Sequence, residues 1–169
     1  MNKKQIYLDN SATTPILPEV KEKIIGHIAD FANPSSLYHA GYINKEAINF
    51  ARCQIADTLK CNSNEIVFTS GSSESNSTAL VSGLLANKNK GNHIITSKVE
   101  HSSILKACSN LEKYYGAEVT YLDVDKYGFI HPESVLNSLR DNTIFVSIMS
   151  VNNELGSVNN ISGIASIIK

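Results

Sequence analysis

The chain has 169 residues, a formal net charge of −1 and 18% charged residues. That length suits one core of fair size, and 42% apolar residues is ordinary for a globular protein. No basic or aromatic concentration points to nucleic acid and no apolar run is long enough for a membrane span. No apolar signal core follows the basic start, so the cytoplasm is the default location.

In chain order, Tyr7 and Leu8 open an extended segment that ends at Pro15. Leu17, Val20, Ile24 and Ile28 mark one face of a first helix, with Pro18 in its first turn, where a missing N–H costs little. Residues 32–43 read as a loop. A second helix turns Ile48, Ala51, Ile55 and Leu59 inward, and Asn62, Ser63 and Asn64 break it. From there the pattern alternates. Strands are expected at 66–69, 93–97, 117–122 and 143–149, and helices at 74–87, 102–114, 132–140 and 161–168, with a turn at Lys126-Tyr127-Gly128. Strands alternating with helices predict an α/β fold with a parallel sheet, whose ligands bind beyond the carboxyl ends of the strands.

Three segments fall at such ends. Ile66-Val67-Phe68 runs into the hydroxyl-rich turn Thr69 to Ser73 and then a helix. Small residues at a helix N-terminus leave unpaired N–H groups open to an anion, so Ser72 and Ser73 are candidate phosphate donors. The same serines also suit plain N-capping. The segment lacks a nucleotide P-loop ending and a dinucleotide fingerprint. After the strand at 93–97 comes Lys98-Val99-Glu100-His101-Ser102. After the strand at 143–149 comes Ser150-Val151-Asn152-Asn153-Glu154-Leu155-Gly156. Taken one at a time, His101 reads as a helix-capping or surface histidine and Asn153 as a turn residue. Cys53, Cys61 and Cys108 are odd in number and form no Cys-x-x-Cys, so free, mostly buried thiols are expected. The five histidines lack metal-ligand spacing, and no metal is expected.

Together with Tyr7-Leu8-Asp9-Asn10-Ser11-Ala12-Thr13-Thr14-Pro15, these segments resemble the cysteine desulfurases of the class V aminotransferase family, in the family's order and spacing. The resemblance implies the type I fold of pyridoxal 5'-phosphate (PLP) transferases. Residues 1–60 would form an N-terminal segment with helices, and residues 61–169 the N-terminal portion of the large PLP-binding domain. It implies L-cysteine as substrate, L-alanine as product, and sulfur held as an enzyme persulfide for iron-sulfur cluster or thio-cofactor assembly. It also implies a homodimer and a scaffold or other sulfur-acceptor protein as partner, with no nucleic acid and no membrane.

Carried onto this sequence, the resemblance gives Ser72 and Ser73 to the cofactor phosphate and His101 to the face of the pyridine ring, with a share in proton movement. It gives Asn153 to the phenolic oxygen, and Ala12 and Thr13 to the substrate pocket; the last two read equally as part of a simple extended segment. His39 lies near the family's site mouth without a firm role. Ser73 stands where threonine is usual and Ser77 where asparagine is usual. The family's Schiff-base lysine, its aspartate facing the pyridine nitrogen and its sulfur-accepting cysteine belong to later segments, and neither Lys98 nor any of the three cysteines matches them. The chain by itself is therefore expected to be inactive. A non-catalytic fragment, one half of a split enzyme and a selenocysteine lyase-like enzyme are the alternatives. On the family's strand order, the strands at 93–97, 117–122 and 143–149 are mutual neighbours. The strand at 66–69 pairs only with a strand outside this chain.

Overall fold

Ile94 and Ile95 are adjacent in sequence and serve opposite faces of one sheet, as the two-residue period of a strand requires. The computed structural model describes residues 6–168. It divides into two compact units at Phe68/Thr69.

The second unit holds the sheet. Strands β1 (His93–Ser97), β2 (Glu118–Leu122) and β3 (Thr143–Ser147) lie parallel in the order β2-β1-β3. The mutual neighbours expected from sequence are the ones found. Ile94 pairs with Val119 and Phe145, and Ile95 with Thr120 and Val146. On one face α3 (Ser72–Ala86) and α4 (Ser102–Tyr115) enclose Leu80, Leu84, Ile94, Ile104, Cys108 and Leu111. On the other, α5 (Pro132–Leu136) and α6 (Ile161–Ile167) cover Ile95, Leu122, Ile130, Val135 and Ile164. β1 is buried along its whole length because it has a neighbour on each edge and helices on both faces. Gly116 ends α4 at φ 71°, a left-handed conformation that glycine adopts without strain, and Ala117 N–H returns to Leu111 O.

The first unit holds α1 (Pro18–His27) and α2 (His39–Leu59), followed by a short 3-10 turn at Ser63–Glu65. Pro18 opens α1 as expected. Several expectations need correction here. The segment meant to run extended from Tyr7 to Pro15 contains a turn, in which Ala12 N–H and Thr13 N–H both donate to Asp9 O. The helix expected after residue 43 already begins at His39. The inward face assigned to α2 is only partly covered, with Leu59 65% exposed; Gly41 and Ala56 are its buried positions.

The largest correction is at 66–69. Ile66 has extended dihedrals, but the segment forms no ladder, and Val67 is 72% exposed. A strand needs a partner for its N–H and C=O groups, and among the described residues none lies alongside. The thiols also differ from expectation. All three are free, but only Cys108 is buried; Cys61 is intermediate and Cys53 exposed. Burial, with the nearby Glu112 carboxylate second, pushes the Cys108 thiol up to about 11.

Candidate functional site

β1 and β3 run parallel, so the loops that follow them leave the same end of the sheet. Two buried side chains tie those loops together. Glu100 Oε1 accepts from Met149 N–H at 2.7 Å and from the Ser97 hydroxyl at 3.2 Å. Asn152 donates from Nδ2 to Val99 O at 2.9 Å, while its Oδ1 accepts from the N–H groups of Glu154 and Leu155. These bonds replace ladder pairing past Ser147. β3 therefore stops there rather than at residue 149. Burial raises the Glu100 carboxyl above its ordinary range, and the two donated bonds only partly offset this.

This frame sets out the candidate residues. His101 is the N-cap of α4: its Nδ1 accepts from Ser103 N–H at 3.1 Å and lies 2.8 Å from the Ser103 hydroxyl. Helix capping, the plain reading of this residue, is therefore real. It occupies one ring nitrogen and leaves the rest of an exposed ring open. Asn76 Nδ2 donates to Ser103 Oγ at 2.8 Å, which links α3 to the start of α4. Ser72 and Ser73 form the first two positions of α3, both exposed, and its N-cap is Gly71, with no side-chain cap. The first N–H groups of α3 are thus left without a side-chain acceptor at the cap.

Glu74, one turn in, reaches back to Ser70 and accepts from its N–H at 2.7 Å and its hydroxyl at 2.6 Å; both bonds hold the carboxyl below its usual range. Thr69 and Ser75 join hydroxyls at 2.6 Å. A cleft of about 430 Å³ opens beside Ser73, Ser77, Ser102, Ser103, Lys106 and Asn110. Asn153 is exposed next to the buried Asn152, and among the described residues its amide makes no hydrogen bond. The second unit thus brings Ser73 to the cleft that Ser103 also lines, and ties the loop after β1, which leads to His101, to the one that carries Asn153. Ala12 and Thr13 lie exposed in the first unit, and His39 is the first residue of α2. Lys98 pairs with Asp123 at 2.6 Å on the surface, an ordinary ion pair.

The family model for class-V aminotransferases matches residues 6–169. The chain belongs to the class-V aminotransferase family. It is 48% identical to a cysteine desulfurase IscS of Methanosarcina thermophila, over 98% of this chain and 41% of that protein. It is 47% identical to a cysteine desulfurase IscS of Clostridium botulinum, over 98% of this chain and 42% of that protein. Among solved structures it is similar to a NifS-like protein, with TM-score 0.91 and 30% identity over 98% of this chain and 46% of that one. It is also similar to SspA in complex with cysteine, with TM-score 0.84 and 41% identity over 93% of this chain and 45% of that one. The chain spans less than half the length of these relatives.

Sequence reasoning passed over four residues that frame the candidate site: Asn76, Glu100, Ser103 and Asn152. Asn152 was visible as the first half of an Asn-Asn pair, but nothing in sequence says which half is buried. Nothing in the local sequence marks Glu100 as buried, although it is 8% exposed. Among the described residues no group of acidic, histidine or cysteine side chains is arranged to hold a metal, and no helix is long and apolar enough to cross a membrane.

Proposed function

We propose that this chain supplies the phosphate-binding and ring-facing side of a PLP-dependent cysteine desulfurase. In that reading L-cysteine yields L-alanine, and the sulfur passes to a cysteine outside residues 1–169. The observation that carries the proposal is the α3 N-terminus without a side-chain cap, joined through Asn76 and Ser103 to a capping His101. The donor set suits the cofactor's chemistry. PLP presents an anionic phosphate, a flat ring and a phenolic oxygen. The chain offers helix N–H groups and two hydroxyls at Ser72 and Ser73, an exposed imidazole at His101, and an exposed amide at Asn153.

In this reading Ser73 gives its hydroxyl and N–H to the phosphate, while the α3 dipole adds favourable charge. His101 would face the ring and orient it; its capping bonds hold the imidazole without help from the ligand. Asn153 donates to the phenolic oxygen as a neutral amide and adds no formal charge. Glu100 and Asn152 hold the two loops at fixed spacing. Bound PLP supplies the electron sink, which no side chain here provides. The similar proteins named cysteine desulfurase and the neighbour solved in complex with cysteine support the substrate.

The test is turnover. With PLP, and with dithiothreitol to reduce the persulfide, the protein carrying this chain together with the C-terminal length of its relatives should release alanine and sulfide from L-cysteine. Residues 1–169 alone should give neither product and no borohydride-fixed PLP on a lysine. Stoichiometric fixation on one lysine of 1–169, with sulfide release, would overturn the assignment.

A further inference from the structure

Three groups meet in an order that fixes where a proton sits. The Asn76 amide donates to Ser103 Oγ at 2.8 Å. With that oxygen accepting, the Ser103 hydroxyl is free to donate to His101 Nδ1, 2.8 Å away, and the Ser103 N–H donates to the same nitrogen at 3.1 Å. Two donors converge on Nδ1, so the neutral ring has its lone pair there and its proton on Nε2. We propose that Asn76 and Ser103 are positioning residues that hold His101 in the Nε2–H tautomer. Its open nitrogen then meets a bound ligand as a hydrogen-bond donor and not as a base.

The ligand atom that suits this nitrogen is an acceptor, such as a carboxylate oxygen, a phenolate oxygen or a thiolate sulfur. Removal of a proton by Nε2 would first require the proton to move to Nδ1, against both Ser103 donors. The inference deepens the function proposed above and rests on His101 facing the ligand there. The tautomer itself can be read without any ligand.

The experiment is long-range proton–nitrogen NMR of the ¹⁵N-histidine-labelled protein, with no cofactor added, at a pH where the ring is neutral. The wild type should show an Nε2–H ring at His101. Ser103→Ala keeps the backbone cap but removes the hydroxyl, and should raise the Nδ1–H to Nε2–H ratio about fivefold, equivalent to about 1 kcal/mol for one hydrogen bond. Ser103→Thr should restore the wild-type ratio. Asn76→Asp replaces a donor by an acceptor, turns the Ser103 hydroxyl away from the ring, and should raise the ratio further than Ser103→Ala. An Nδ1–H ring in the wild type, or one ratio shared by all four proteins, would overturn the proposal. If one variant loses its helical circular dichroism, the wild-type tautomer and the remaining variant still decide. Failure of the functional reading has a different signature: unchanged turnover in His101→Ala of the full-length enzyme, whatever the tautomer.

Discussion

At the residue scale, the candidate ligand groups separate by what each is expected to do. On the proposed function, His101→Ala in the full-length protein should cut turnover much more than PLP content, because it would remove the ring assigned to face the cofactor and leave the assigned phosphate donors in place. Ser73→Ala should mainly loosen the cofactor, since a hydrogen bond to a charged group is worth roughly 1.5–3 kcal/mol. Equilibrium dialysis of PLP against steady-state rates checks the pair, and wild-type values in both variants would refute the assignment. Glu100 leads to a pH prediction. Its carboxyl is raised above 4.5 by burial, so the folded protein keeps a proton that the unfolded chain has released. Stability from this residue is therefore present below about 4.5 and is lost as pH rises toward the raised value. Glu100→Gln removes that dependence, so urea midpoints should move in favour of the variant as pH climbs from about 4.5 to 8. A difference that moves the other way would show that the carboxylate is preferred in its buried place.

His93 shows how an element can depend on one side chain. It is fully buried at the start of β1, with Nδ1 2.7 Å from Thr143 Oγ1 and Nε2 2.8 Å from Thr120 Oγ1, so it clips β3 and β2 to the central strand. Thr143 Oγ1 also accepts from Arg140 N–H. Burial first, and the Arg140 guanidinium second, lower the imidazole below 6.5, with Glu118 opposing. The unfolded chain takes up a proton as pH falls through about 6.5 and the folded one does not, so this residue's stability is whole above that pH and declines below it. Nearby, a side chain added at Gly91 would clash with Asn142 O, the carbonyl that accepts from His93 N–H. Gly91→Ala should cost about 1–3 kcal/mol in urea melts, the range for overpacking; a neutral result would mean that the strand entry shifts freely.

Element by element, legibility followed local completeness. β1, a short run buried along its whole length, and α6 begin where the sequence reading put them. α5 stops at Leu136 rather than 140 because Ser138 and Leu139 N–H turn to tighter three-residue bonds. The segment 66–69 has strand composition and no ladder, since pairing is a property of the partner as much as of the sequence. The candidate site divides in the same way: His101 stands out in its motif, whereas the Asn76–Ser103 contact exists only because two helix starts lie side by side.

The whole molecule shows much apolar surface. Phe31 is 96% exposed, Val67 and Phe68 stand out within the segment 66–69, and among the described residues that segment and the outer edges of β2 and β3 have no strand neighbour. Open edges and apolar patches favour association. We expect residues 1–169 alone to sediment as oligomers whose size grows with concentration, and a monodisperse monomer up to high concentration would contradict this. Addition of the C-terminal length of the relatives should suppress the association. Cys108 gives such mixtures a built-in clock. On the buried face of α4, its sulfur is sealed among Leu80, Leu84 and Ile94 and its thiol is pushed up to about 11, while Cys53 lies open in the other unit. Alkylation by iodoacetamide near neutral pH should therefore mark Cys53 at once and Cys108 only when the sheet unit comes apart. The lag between the two labels, read by peptide mass spectrometry, times the opening of one half of the chain with its native thiols alone.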